Sequence, residues 1–360
     1  MHKPLNVAIV GARGYSGLEL ARILLLQPLV KIIGCFATDA KWELTDYLPE
    51  ASAKDVPIYL MDRLAEIAAK AHTVFLATPA ETSIELAPLC LSKGANVIDL
   101  SGAFRLEKEV FEKTYGMHHA ASGLLGKARY GLVPFAAPAK KSEPALIANP
   151  GCYATSILMA LVPLLRANLI DPRSIVIDAK SGTSGAGRKA TDNLLFAEVA
   201  GECLPYRVGR HQHLPEIEAH AEAFSGTAIA PFFTTHLLPT KRGIIASIYA
   251  RLSPAATALT TKSALELVGK TYGEAFRGYP LARFQPLADA ASAERSALLL
   301  RKVVGSARTH LAYRIEGDKL YVFSLIDNLL KGAAGQAVEN FNRLLDLPPQ
   351  TALEKLEGTL

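Results

Sequence analysis

Short apolar runs alternate with helical stretches through the first part of the chain. Leu5 to Val10 has the continuous apolar character of a strand buried on both faces, and Leu18 to Leu26 that of a helix apolar on nearly all sides. Between them lies a glycine loop, Gly11 to Gly17. Val30 to Ala37, Thr73 to Ala77, Ala95 to Leu100 and Ala145 to Ala148 predict further strands, and Ser83 to Leu91 a helix. Regular alternation of strand and helix predicts an α/β architecture, a doubly wound parallel sheet over residues 1–151.

From residue 152 the texture changes. Tyr153 to Val162 predicts a helix that ends before Pro163. Strands are expected at Ser174 to Ala179, Ala228 to Thr234, Gly243 to Arg251, His310 to Ile315 and Leu320 to Ser324, with Gly317-Asp318 as a hairpin turn. This less regular order predicts a second, α+β domain with a mixed sheet over residues 152–330. Lys331 to Leu345 reads as a terminal helix within a last segment, 331–360.

Composition narrows the function classes. The 360 residues suit two domains, and 50% hydrophobic against 20% charged residues supply ample core. The net charge of +5 is spread without a basic run, which argues against nucleic acid and is compatible with small anions. Cys35, Cys90, Cys152 and Cys203 form no C-x-x-C pair, so neither a zinc site nor a redox dithiol is expected, and a reduced, cytoplasmic setting is. No secretory core follows Met1 to Pro4, and the longest uncharged stretch, around Tyr153 to Leu165, is too short for a bilayer.

The sharpest chemical signal is Asn149-Pro150-Gly151-Cys152, which delivers a cysteine from a tight turn onto the start of an apolar helix. Unpaired N–H groups and the positive end of the helix dipole favour a thiolate there, although most free cysteines are small buried hydrophobes. The loop Gly11-Ala12-Arg13-Gly14-Tyr15-Ser16-Gly17 has G-x-x-G-x-x-G spacing between strand and helix, the placement of a dinucleotide phosphate site. After the second strand, Asp39 would suit the ribose hydroxyl of NAD, whereas Arg13, Thr38 and Lys41 would suit the 2′-phosphate of NADP. His211 and His213, followed by Pro215 and Glu216, carry no third metal ligand at suitable spacing and point to acid/base work. Arg105, after the strand ending at Leu100, is a candidate anion clamp, and the Ser181 to Arg188 loop could wrap an anion with its backbone.

Together these segments resemble the N-acetyl-γ-glutamyl-phosphate reductase family, within the aspartate-semialdehyde dehydrogenase-like group. The likeness spans nearly the whole chain through Gly11–Gly17, Asp99–Arg105, Asn149–Thr155, Ser181–Arg188, His211–Ile217, His236–Gly243 and Ile326–Gln336. It implies a Rossmann-like first domain, an oligomerising catalytic domain and a C-terminal helix that returns to the first domain. It also implies NADPH as reductant, a Cys152 thioester formed from an acyl phosphate, and a homo-oligomer, dimer or tetramer. By the same resemblance His213 manages protons, with Glu216 its orienter and His211 its rival or a substrate contact. Arg105, Ser181 and Arg188 would hold substrate; Gly11, Arg13, Gly14, Tyr15, Ser16, Gly17, Thr38, Gly182 and Asn328 would hold the dinucleotide. The chain departs from the family pattern at Val133 to Phe135, where a carboxylate is customary, at Thr38-Asp39 in place of serine-arginine, and near Gly305-Ser306-Ala307, where an asparagine is customary.

Overall fold

The computed structural model describes residues 4–39, 41–49, 51–137 and 144–356. Met1 to Lys3 and the last four residues of the expected C-terminal segment lie outside the described residues. The chain divides into two compact units, Met1–Gly151 with Ala333–Lys355, and Cys152–Gly332 with Leu356–Leu360.

Unit 1 is built on a parallel seven-stranded sheet: β1 (Leu5–Val10), β2 (Val30–Phe36), β3 (Ile58–Tyr59), β4 (Thr73–Leu76), β5 (Asn96–Asp99), β6 (Arg129–Tyr130) and β7 (Leu146–Ala148). Their order, β3-β2-β1-β4-β5-β7-β6, reverses direction between β1 and β4, the switch point at which doubly wound sheets bind ligands. Strand residues are sorted by alternation. Ala8, Val10, Val74 and Leu76 join the core cluster that includes Ile84, Ala87 and Cys90 of the Ala80–Ser92 helix. Phe75 instead meets Phe341, ring centroids 5.6 Å apart, on the Gly335–Leu344 helix. That late helix is therefore an integral part of unit 1, and Gln27 Nε2 donates to Asn342 Oδ1 at 3.1 Å to fix it. Each such buried aromatic or aliphatic side chain contributes roughly 1.5–3 kcal/mol of burial.

Unit 2 holds the second sheet: β8 (Val176–Gly182), β9 (Leu204–Tyr206), β10 (Phe232–Leu238), β11 (Ile244–Arg251), β12 (Ala282–Pro286), β13 (Thr309–Glu316) and β14 (Lys319–Ile326). The order β12-β13-β14-β11-β8-β10-β9 mixes parallel pairs, β8 with β10 and β12 with β13, with antiparallel ones. The expected hairpin is present: Glu316 pairs with Lys319 across Gly317-Asp318, and Gly317 has φ +60°. The doubly wound first sheet, the mixed second sheet and the returning helix are those expected.

Several boundaries differ from the sequence pattern; the strand expected at Ala228 to Thr234 runs Phe232–Leu238, because its pairing with β8 begins at Phe232 and continues to Leu238. The Cys152 helix does not stop before Pro163; it runs Cys152–Arg166, and every residue from Tyr153 to Leu165 is buried. Proline costs a helix interior about 3 kcal/mol. Burial on all sides outweighs that, helped by Ser156 Oγ donating to Ser324 Oγ at 3.0 Å and Tyr272 Oη donating to the Ala160 carbonyl at 3.1 Å. Strand β8 likewise extends past Ala179 into the glycine-rich segment, because Lys180, Ser181 and Gly182 remain paired with β10.

Candidate active site

Unit 1 contributes a site made of backbone. Gly11 has φ +79°, and a Cβ there would lie 2.3 Å from the Ala77 carbonyl oxygen at the end of β4. A Cβ on Gly17 would lie 2.3 Å from the Gly11 carbonyl oxygen, so both glycines are steric requirements of the turn. Gly14 caps the Tyr15–Leu25 helix without any side-chain cap, and its first turn holds no acid. The first-turn N–H groups thus meet the switch point with no competing carboxylate, which fits a dinucleotide phosphate. Side chains around this loop are more open: Arg13 Nη1 stands 3.8 Å from Asp39 Oδ2, both nearly half exposed, and its Nε donates to Tyr47 Oη at 3.4 Å. Thr38 is exposed, and the Lys41 N–H donates to Asp39 Oδ1 at 2.8 Å.

The sheet's carboxyl edge is finished by a buried polar set. Arg105, 7% exposed, donates through Nε to the Asn149 carbonyl at 2.8 Å and through Nη2 to the Leu100 carbonyl at 2.7 Å. Asn149 in turn donates to the Ala333 carbonyl and accepts from Asn340 Nδ2, both at 3.1 Å. Asp99 is fully buried and accepts from the N–H and Oγ of Ser101; burial pushes its carboxyl above the usual range against these donors.

Unit 2 contributes side chains. Cys152 is the first residue of its helix and only partly buried, and the helix's first turn contains no acid. Tyr153, one residue on, is the hub of an aromatic cluster: its ring lies 5.3 Å from that of His211, 6.0 Å from His213 and 5.9 Å from Phe233. The Tyr206 hydroxyl donates to that of Tyr153 at 3.0 Å. Burial raises both phenols, Tyr206 to about 12, so both stay protonated at neutral pH.

Both histidines are buried, His211 6% and His213 7% exposed, with rings 4.9 Å apart. His213 is the first residue of the His213–Ser225 helix, and its N–H donates to His211 Nδ1 at 3.1 Å. Accepting at Nδ1 leaves the proton of neutral His211 on Nε2. Burial, then the neighbouring His213 and Arg207, push the His211 imidazole down to about 2, so it is neutral throughout the physiological range. Glu216, also buried, lies one turn along the same helix.

Ser181, 3% exposed, is the penultimate residue of β8, and Gly182 ends it where only glycine fits, since a Cβ would meet the Arg242 backbone N at 2.7 Å. Asn328 pins this loop from both sides: its Nδ2 donates to Ser184 Oγ at 3.0 Å and its Oδ1 accepts from the Gly243 N–H at 2.8 Å. Arg188, by contrast, is exposed beyond the loop. The sequence reading thus located Cys152, His211, His213, Ser181, Gly182 and Asn328 in one unit and Gly11–Gly17, Arg13, Thr38 and Arg105 in the other.

Four contributors went unforeseen. Tyr153 lies within the Asn149–Thr155 segment but carries no role in the sequence reading, and only sheet pairing brings Tyr206 of β9 to the cluster. Asp327 is fully buried and accepts from the N–H groups of Gly305, Leu329 and Leu330. Gly332 lies against Cys152, where a Cβ would approach that of Cys152 to 2.7 Å. An acid directly before Asn328, and a glycine beside the buried Lys331, were the available signals. Among the described residues no group of three metal-ligating side chains is present, and no helix is long and apolar enough to cross a membrane.

Comparison with known proteins matches both units. Residues 6–142 fit the family model for the semialdehyde dehydrogenase NAD binding domain, and residues 152–328 that for the semialdehyde dehydrogenase dimerisation domain. The chain is 40% identical to N-acetyl-gamma-glutamyl-phosphate reductase of Geobacillus stearothermophilus over 98% of this chain and 99% of the relative. It is 38% identical to the enzyme of that name from Listeria monocytogenes, over 94% and 95%. Among solved structures, aspartate semialdehyde dehydrogenase II of Vibrio cholerae, complexed with ASA, superposes with TM-score 0.69 at 18% identity, covering 96% of this chain and 99% of that one. The Candida albicans aspartate semialdehyde dehydrogenase with NADP gives TM-score 0.61 at 14% identity over 95% and 99%.

Proposed function

The chain belongs to the N-acetyl-γ-glutamyl-phosphate reductase family, and from that premise we propose that it reduces N-acetyl-γ-glutamyl phosphate to N-acetylglutamate semialdehyde and phosphate through a thioester on Cys152. The observation that carries the mechanism is a partly accessible thiol on the first residue of a buried helix, whose neighbour Tyr153 packs against two buried imidazoles.

The Cys152 thiolate attacks the acyl carbon; the carbon–sulfur bond forms as the carbon–oxygen bond to phosphate breaks, and the electron pair leaves with phosphate. Arg105, its guanidinium oriented by the Asn149 and Leu100 carbonyls, receives that charge. The Gly11–Gly17 loop, with Arg13 and Thr38, would hold NADPH, which would supply the hydride for reduction of the thioester. His213 gives a proton to the carbonyl oxygen as it gains charge and takes it back as the thiohemiacetal collapses to aldehyde and thiolate. His211, held neutral with its proton on Nε2, serves as a hydrogen-bond donor to substrate rather than as a base. Ser181 and Arg188 line the acyl group. Gly182 and Asn328 order the loop at the nicotinamide end.

We read the protein as a cytoplasmic homo-oligomer, a dimer or tetramer. Support comes from the dimerisation-domain model over residues 152–328 and from an open row across the mixed sheet in which Phe232, 79% exposed, pairs with Val176 beside Tyr249 and Tyr321. The deciding assay runs the reaction in reverse, with N-acetylglutamate semialdehyde, phosphate and each nicotinamide cofactor. Phosphate-dependent NADPH formation is expected, and mass spectrometry of enzyme given acyl phosphate without NADPH should find the acyl group on Cys152. Homologous acyl phosphates tested alongside fix the acyl preference.

A further inference from the structure

At the β12–β13 edge of unit 2 lies a cavity of about 500 Å³ whose lining belongs to none of the groups assigned above. That size falls in the range of small-molecule sites. Its wall carries Arg283, Lys302 and Arg308, with Phe284 as an aromatic panel and no carboxylate. Among the described residues, none of these three cations makes an ion pair. Their charges converge: Arg283 stands opposite His310 in the β12–β13 register, and after burial itself, Lys302 and Arg283 both press the His310 imidazole below its ordinary value.

His310 supplies an independent sign that something is missing. It is 7% exposed, its ring donates to the Ala297 carbonyl, and its Nε2 is buried without a hydrogen-bond partner. Buried polar atoms in native proteins are overwhelmingly satisfied, so an unpartnered one on a residue of the cavity lining marks an unmet interaction beside it. A ligand hydroxyl could donate to it, or an anion could draw a second proton onto the ring and accept from it. Cations gathered without a counter-charge repel one another, so a bound anion relieves the clustering as well as gaining charge-assisted hydrogen bonds.

We propose that this cavity binds a small polyanion, a molecule bearing two or three phosphoryl or carboxyl groups, held by Arg283, Lys302, Arg308 and His310. Phe284 gives it an apolar face against which a carbon skeleton can lie. Because the three cations stand outside the catalytic cluster, occupancy is separable from turnover.

The test is calorimetric titration of the full-length protein at low ionic strength with pyrophosphate and, in parallel, with citrate, comparing wild type with Arg283→Ser and Lys302→Ser. Arg283 and Lys302 are exposed, so neither change threatens folding. At least one polyanion should bind saturably at one site per chain, and Kd should rise about tenfold or more in each variant as a charge-assisted contact is lost. Binding of pyrophosphate alone assigns a phosphoryl ligand, and of citrate alone a carboxylate one. Reverse-assay kcat and KM without added polyanion should match wild type within about twofold. Equal Kd values in wild type and both variants would locate the anion at the catalytic phosphate position instead, and absence of saturable binding by either probe would equally overturn the proposal.

Discussion

The two units build their candidate sites by opposite means. That of unit 1 is made of backbone: Gly11 and Gly17 leave no room for side chains, and the surrounding Arg13, Thr38 and Asp39 are open to water. That of unit 2 is made of side chains: Tyr153, His211, His213 and Glu216 are buried together, and Tyr206 and Asn328 pin them or the adjoining loop. Substitutions in the first should therefore be severe only where they touch the glycines and slight at the exposed side chains. In the second nearly every change should tell on chemistry.

The largest effect is expected at Cys152, the proposed nucleophile. Cys152→Ala should reduce kcat by several orders of magnitude while leaving NADPH affinity, measured by fluorescence titration, unchanged, because the glycine loop folds without it. The fully buried thiols give the control: burial pushes Cys35 and Cys90 up to about 12, and they sit in unit 1 as packing residues. Cys90→Ala should leave kcat near wild type. A Cys152→Ala protein that keeps more than a few per cent of the rate would remove the thioester from the mechanism.

The histidine pair comes next. His213→Asn should lower kcat on the order of a hundredfold and erase one limb of the pH profile, as loss of a general acid/base does. His211→Asn should act mainly on KM. It carries a second, stability-based signature. His211 is held near 2 in the folded protein but titrates near its ordinary value when unfolded, so below about pH 6.5 the unfolded chain binds the extra proton and stability falls as pH falls. At pH 5 the loss amounts to about 2 kcal/mol, and His211→Asn should flatten that limb in urea unfolding measured from pH 7 to 5. An unchanged acid limb would show that another group is responsible.

Glycines offer the sharpest structural contrast. Gly11→Ala adds a Cβ at 2.3 Å from the Ala77 carbonyl oxygen on top of a positive φ, so it should raise the KM for NADPH at least about tenfold and lower Tm. Gly226→Ala in unit 2 has a similar φ, +76°, in the left-handed helical region, but nothing within 4 Å, so it should cost only the backbone term of about 1 kcal/mol. Similar Tm losses in the two variants would mean that the close approach at Gly11 is relieved by movement of the β4 end.

How much of this was legible in the sequence follows the same division. The glycine loop, its flanking strand and helix, and the hairpin at Gly317 are local, so spacing and apolar runs were enough to read them. Strand β8 was ended too early because the residues after Ala179 look like a flexible loop, and only pairing with β10 shows Ser181 and Gly182 as strand. Pro163 misled for a similar reason: its local penalty is visible in sequence, whereas the all-round burial that overrides it is not. Tyr206 and Asp327 are joined to the site by tertiary pairing across long sequence separations, which no local pattern reports.

The smallest effect should come from the exposed rim of the glycine loop. Asp39 lies 3.8 Å from Arg13, and both are nearly half exposed, so solvent screens the pair and it adds little to stability. Its consequence is for selectivity rather than stability. Asp39 now draws on Arg13 and accepts from the Lys41 N–H, competing with any 2′-phosphate for the same donors. Asp39→Ser should release Arg13 toward that phosphate and raise the ratio of kcat/KM for NADPH over NADH modestly, by up to about fivefold, as expected for a solvent-screened pair. Arg13→Ala should lower the same ratio by a comparable factor. If Asp39→Ser instead depresses the rate with NADH by far more than this and leaves NADPH untouched, the carboxylate accepts a ribose hydroxyl directly, and the rim discriminates between cofactors by contact with the sugar rather than by controlling Arg13.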